Sequence, residues 1–300
     1  MARIIRRRPV LRVIGGSSPV RRVDQLAGEE PLEIRVGGQS FSVTMRTPGS
    51  DMELVAGFLV SEGVIWRSEQ IRQMAYSGVS PDGHRDYNVL DVHLADGVEL
   101  PDLARHVYTT SSCGVCGTAS IEAVRKSSAY SVAGDEARLA PAELAGLPQR
   151  LRDHQKVFGR TGGTHAAAIF IPDGNVGLTL GCVREDVGRH NAVDKVVGWA
   201  LHEARLPLRG AVLQVSGRAS FELVQKAAMA GIPVLSAVSA PSALAVDLGE
   251  EVGLTVIGFN RGDRFNIYAG AHRVYPDLPS HAPAGEPPPA ANATHRTTTR

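Results

Sequence analysis

Apolar and polar residues alternate in two short runs, Leu32-Glu33-Ile34-Arg35-Val36 and Phe41-Ser42-Val43-Thr44-Met45, on either side of Gly37-Gly38. A period of two sends successive side chains to opposite faces of a strand, and the glycine pair supplies a turn, so the segment predicts a β-hairpin. Over residues 51–62 the period lengthens. Leu54, Val55, Phe58 and Leu59 then fall on one face of a helix, with Ser50 placed to cap it. Alternation returns over residues 87–94. Together these elements predict a small α+β domain over residues 21–105.

The second part of the chain has a different rhythm. Residues 164–171 and 176–183 are apolar runs joined by Pro172-Asp173-Gly174-Asn175, a strong turn sequence. Val193, Val196, Val197 and Leu201 give residues 190–204 a helical face. Three buried-strand patterns follow (211–215, 232–238 and 254–259), separated by helical stretches at 219–230 and 242–251, with Gly231 where a C-terminal cap belongs. Strand–helix–strand–helix–strand with short connections implies a parallel sheet with helices on both faces. Unbroken apolar strands fit a sheet buried on both sides. This second domain is expected over residues 106–275.

Residues 1–20 are basic and rich in glycine and serine, and residues 276–300 are rich in Pro, Ala and Thr. The first is expected to be a flexible arm and the second a disordered tail. Of 300 residues, 43% are hydrophobic and 21% charged, with a formal net charge of +1, so no global field recruits nucleic acid or an acidic membrane. No apolar run is long enough to span a bilayer, and no apolar segment follows the basic start as a secretory signal requires. Three cysteines without export imply a reducing cytoplasm.

Two of those cysteines, in Cys113-Gly114-Val115-Cys116, sit just ahead of a predicted helix with Thr118 as its cap. A helix N-terminus stabilises a thiolate, the reactive form of cysteine. A structural zinc needs four ligands, and Cys182 stands alone. Spacing by itself leaves dithiol exchange and sulfur carriage both open. Cys182 is expected to be a buried small apolar residue.

Ligands of such sheets gather beyond the carboxyl ends of the strands. That points to Ser216-Gly217-Arg218-Ala219-Ser220, Ser239-Ala240-Pro241-Ser242 and Phe259-Asn260-Arg261-Gly262-Asp263-Arg264. Glycine turns entering helices and arginine forks both suit phosphate. Gly162-Gly163-Thr164-His165 and the cluster Arg184-Glu185-Asp186-Val187-Gly188-Arg189-His190-Asn191 add polar side chains near the same strand ends. The plainer reading of the second cluster is a capped helix start.

With these segments in view, the chain resembles the FdhD family, the accessory sulfurtransferases of formate dehydrogenase. The matching stretches include SSCGVCGTASIE (111–122), GGTHAAA (162–168), REDVGRHNAVDK (184–195), SGRASFELVQKAAMAGIPVL (216–235), SAPSALAVDL (239–248) and GFNRGDRFNIY (258–268). The resemblance implies a cytidine deaminase-like three-layer αβα domain with a smaller N-terminal α+β domain, in a homodimer. It further implies a sulfurtransferase that takes persulfide sulfur from a cysteine desulfurase. The sulfur passes to a molybdenum cofactor carrying two molybdopterin guanine dinucleotides, which then serves formate dehydrogenase. Cys113 becomes the persulfide intermediate, Cys116 an assisting or alternate carrier, and Phe259, Asn260, Arg261, Gly262, Asp263 and Arg264 the cofactor-binding segment; no structural metal is expected. Deaminase chemistry does not follow from the fold, since no HxE lies upstream of the CxxC and no proline precedes Cys113. A cofactor-binding chaperone and a dithiol oxidoreductase are the rival functions.

Overall fold

The computed structural model describes residues 4–79, 85–100, 128–174 and 177–275. The predicted hairpin is there, with β3 (Glu30–Val36) antiparallel to β4 (Gln39–Arg46) and Gly37 and Gly38 both at positive φ. Helix α1 (Asp51–Ser61) follows, and β5 (Ile71–Val79) and β6 (Arg85–Leu94) complete a four-stranded sheet in the order β4-β3-β6-β5. Ser50 does stand at the start of α1, but in the left-handed region, and its hydroxyl makes no capping bond. The side chain of Asp51 turns back instead, accepting from Gly49 N and from the buried guanidinium of Arg46.

The larger sheet runs β12-β11-β10-β9-β7-β8, from β7 (His165–Pro172), β8 (Leu178–Asp186), β9 (Val212–Val215), β10 (Val234–Ala237), β11 (Thr255–Arg261) and β12 (Arg264–Ala269). It is mixed rather than parallel throughout: β9, β10 and β11 run parallel, while β7, β8 and β12 run antiparallel to their neighbours. The cause is connection length. Helices α5 (Phe221–Met229) and α6 (Ala243–Val252) make the crossovers that parallel strands need, whereas the short turns after Pro172 and Arg261 reverse the chain.

Helices cover both faces. Helix α2 (Pro141–Asp153) lays Leu144, Leu147 and Leu151 over Ala168, Phe170, Val212 and Ile257. On the other face one continuous apolar cluster runs from Leu32 and Ile34 of β3, through Val55 and Leu59 of α1, to Val193 and Val197 of α4 (Arg189–His202) and Leu213 of β9. The two sheets therefore share one core, with α1 and α4 crossing between them. Gly57 and Gly198 mark the crossing, which no side chain could enter.

The arginine-rich start, expected to be a flexible arm, is strand β1 (Ile5–Arg12) paired antiparallel with β2 (Val20–Ala27). Alternation there is blurred by arginines at consecutive positions, which hides the strand period. No helix among the described residues is long and apolar enough to cross a membrane.

Candidate functional site

The three strand-end segments converge at the carboxyl edge of β9, β10 and β11. Ser239 N donates to Gly217 O at 3.1 Å, Phe259 N donates to Ser239 O at 3.1 Å, and Ser242 N donates to Ala219 O at 3.0 Å. Backbone bonds thus stitch the loops into one rim, with the N-termini of α5 and α6 behind it. Ser242 caps α6 by accepting from Ala245 N.

Within the segment 259–264, residues divide by direction. Gly262, at φ 64, and Asp263 form the tight turn between β11 and β12, and Arg261 pairs with Arg264 across it. Both arginines are exposed, and Arg261 Nε donates to Val238 O at 2.7 Å, anchoring its stem to the rim. Asn260 points the other way. It is fully buried, and its amide donates to Leu144 O at 2.7 Å and Ser236 Oγ at 2.9 Å, so it ties the turn to α2 and β10. Phe259 sits at φ 52 with its side chain 39% exposed. A bulky residue in the left-handed region costs about 1–3 kcal/mol, and such strain clusters where function demands it.

Two histidines line the neighbouring edge. His165 opens β7, level with Asp186 of β8, and its Nδ1 would lie 3.5 Å from a Cβ placed on Gly217. Burial, reinforced by the Arg189 charge, holds its pKa below the ordinary value. His190 lies 3.8 Å from Glu222, yet burial, with Arg189 and Lys226, pushes it down to about 4. Both rings are therefore neutral near pH 7.

Arg184, Glu185, Asp186 and Asn191 of the 184–191 cluster brace the fold, which sequence spacing could not reveal. Arg184 forks onto Glu53 of α1. Glu185 accepts from Val157 N and Phe158 N, both at 2.7 Å, capping α3 (Lys156–Thr161) rather than α4. Asp186 is fully buried and accepts from Thr47 N, Gly188 N and Asn191 Nδ2, with Lys195 Nζ at 2.7 Å. Nothing in the local pattern around Thr47 marks it as a partner of Asp186. Its value comes from lying next to Asp186 only after the two sheets meet.

Cys182 borders a groove of about 500 Å³ lined also by Thr47, Arg184, Lys195 and Trp199. Its thiol is buried, as expected, and that burial pushes it up to about 12. It is no thiolate at neutral pH. Cys113 and Cys116 lie outside the described residues.

Residues 27–275 match the FdhD/NarQ family. A Streptomyces coelicolor protein described as sulfur carrier protein FdhD is 57% identical over 278 residues, covering 91% of this chain and 97% of that one. The Mycobacterium tuberculosis protein of the same description is 54% identical over 270 residues, covering 88% and 96%. In fold, the chain is similar to a crystallised Desulfotalea psychrophila protein described as a formate dehydrogenase accessory protein. The TM-score is 0.69 at 24% identity, covering 91% of this chain and 100% of that chain.

Proposed function

Since the chain belongs to the FdhD/NarQ family, we propose that it is a sulfur carrier that equips the cofactor of formate dehydrogenase. In this reading a cysteine desulfurase supplies the sulfur, and the acceptor is the molybdenum cofactor with its two guanine dinucleotide arms. The protein works in the cytoplasm as a homodimer, on a core of the cytidine deaminase type. Support for the acceptor comes chiefly from Phe259, an exposed ring held in a strained backbone conformation between the rim and two exposed arginines. A flat base stacks on such a ring, and guanidinium forks at Arg261 and Arg264 match phosphate oxygens. Asn260 contributes by holding the turn, not by touching the ligand.

The chemistry balances on two thiols. Cys113 thiolate attacks the outer sulfur of the donor's persulfide; the donor S–S bond breaks and its cysteine leaves as thiolate. Cys113 then bears the extra sulfur. Attack by Cys116 thiolate on the Cys113 sulfur forms a Cys113–Cys116 disulfide and releases the terminal atom as sulfide to the metal, the pair supplying both electrons. A cellular dithiol must reduce the disulfide before the next round.

Mass spectrometry after incubation with a desulfurase and cysteine tests this reading. One added sulfur, about 32 Da on the cysteine ladder, is expected on the wild type and on Cys116→Ala, and lost in Cys113→Ala. Failure of the wild type to gain that mass would reduce the protein to a cofactor chaperone.

A further inference from the structure

We propose that the β1–β2 ribbon is a membrane-contact arm: its uncharged aliphatic tip dips into the headgroup layer of an anionic bilayer, and its arginines bind the lipid phosphates around it. This contact is independent of the sulfur chemistry.

The two strands form a sheet of their own, paired in register from Ile5↔Ala27 to Arg12↔Val20. The root is fastened to the body. Arg6 meets Glu30, Gly28 N donates to Ile4 O at 2.7 Å, and Arg160 of α3 donates to Gln25 at 2.8 and 3.1 Å. Between residues 10 and 22, among the described residues, the ribbon hydrogen-bonds only to itself. Eight paired residues at about 3.3 Å each carry its far end roughly 25 Å from the root. An unsupported two-stranded ribbon is marginal in water, so a partner that covers the far end would steady it.

The order of side chains identifies that partner. The tip, Val13-Ile14-Gly15-Gly16-Ser17-Ser18-Pro19-Val20, carries no charge, and Ser17 N donates to Ile14 O at 2.9 Å to close its turn. Val13, Ile14 and Val20 are between 59% and 68% exposed, and Leu11 and Val23 just below them are as bare. Apolar surface at that density marks a contact face. Arg12, Arg21 and Arg22 bound the tip, Arg7 and Arg8 follow lower on the stem, and Asp24 is the one acid within residues 5–27. Cross-strand partners share a face, so Arg8, Arg12 and Arg22 point to one side of the ribbon and Arg7 and Arg21 to the other. An acidic protein surface would meet only one of those sets. A bilayer entered tip first meets both, because its headgroups close around the ribbon. Buried aliphatic area and attraction to anionic lipid then add. Insertion stops in the headgroup layer, where water still reaches the peptide groups of the turn. A nucleic acid would pair with the arginines but leave the tip in water, and residues 5–27 contain no aromatic ring on which a base could stack.

Co-sedimentation of the full chain with vesicles tests the proposal, together with hydrogen exchange read on the amides of residues 5–27. The vesicles are phosphatidylcholine alone or phosphatidylcholine mixed with phosphatidylglycerol. The wild type should bind the mixed vesicles at least about tenfold more tightly than the neutral ones, and lose that preference at about 0.5 M salt, where surface charges are screened. Mixed vesicles should also slow exchange in the ribbon. Arg12→Gln with Arg21→Gln and Arg22→Gln should weaken binding at least about fivefold, as should Val13→Ser with Ile14→Ser, both with unchanged circular dichroism. Wild type that stays in the supernatant with both vesicles overturns the proposal. So does equal binding to both, or a preference that survives the salt. Binding without slower ribbon exchange, or wild-type binding by either variant, places the contact elsewhere and overturns it too. Ribbon protection by an RNA oligomer but not by vesicles would assign the arm to nucleic acid instead. The vesicle comparison and the exchange experiment use the wild type, so a misfolded variant does not rescue the idea.

Discussion

Gly57 and Gly198 meet backbone to backbone where α1 crosses α4: a Cβ on Gly57 would fall 1.8 Å from Asp194 O, and one on Gly198 would fall 1.8 Å from Glu53 O. Only hydrogen side chains permit that approach. Through it α1, which carries Asp51 and Glu53, is held against the strand-end segment that carries Arg184 and Asp186.

Gly57→Ala or Gly198→Ala should therefore separate the helices. The expected loss is about 3 kcal/mol or more, at the upper end for overpacked sites. Urea titration of each variant measures it, and a midpoint within error of wild type would refute the crossing.

Lys226 and Asp194 form a second link in the same interface. Lys226 Nζ lies 2.8 and 2.9 Å from the two carboxylate oxygens, and Ser61 donates to Asp194 at 2.8 Å. Burial pushes the Asp194 carboxyl up, and the ammonium works against that push. Removing one partner of a buried pair costs about 3–5 kcal/mol, whereas an apolar replacement of both is often neutral. Lys226→Met should show that loss in thermal unfolding, and Lys226→Met with Asp194→Leu should recover most of it. Equal losses in single and double variants would count against the pairing.

His190 makes stability depend on pH in a defined window. Its folded value of about 4 lies below the ordinary 6.5, chiefly through burial. Between those values the unfolded chain takes up a proton that the folded chain refuses, so stability falls as pH drops from 6.5 to 4. His165 contributes in the same direction. Urea midpoints followed over that range should decline less steeply for His190→Gln than for wild type. Parallel curves would show that the ring is not held neutral.

Cys182 should stay silent toward thiol reagents. With its thiol buried and pushed up to about 12, alkylation of the native chain at neutral pH should spare it, and alkylation in urea should label it. Peptide mass mapping distinguishes the two states. Rapid native labelling of Cys182 would contradict the placement of β8.

Phe259→Gly separates backbone strain from ligand contact. Glycine occupies φ 52 without penalty, so the variant should be as stable as wild type or up to about 1 kcal/mol more so. It loses the ring, however, and its calorimetric affinity for GDP should fall about tenfold, as loss of one stacking contact predicts. Arg261→Ala with Arg264→Ala should weaken the same binding through the phosphates. Undiminished affinity in both would move the nucleotide away from the β11–β12 turn.

Local patterns were enough to locate most of the scaffold. The period-two runs around Gly37-Gly38 and the apolar strands ending near residues 215, 238 and 259 appear where expected, because burial of alternating or continuous apolar faces is written locally. Loop chemistry at the strand ends also pointed to the rim. Other features depended on contacts between distant residues. Asn260 and Arg261 are neighbours in sequence, yet one is fully buried and the other exposed, because successive strand residues face opposite sides and only the side of Asn260 is covered, by α2. Asp186 becomes a structural anchor only when Thr47 is brought to it from 139 residues away. Composition and periodicity settled most of the strands, helices and turns, though not β1, β2, β5 or α2; the meeting of two sheets across Gly57 and Gly198 decided which polar residues brace the fold and which face a ligand. Hydrophobic pattern is carried by near neighbours, whereas the direction of a polar side chain depends on a partner the chain supplies only after folding.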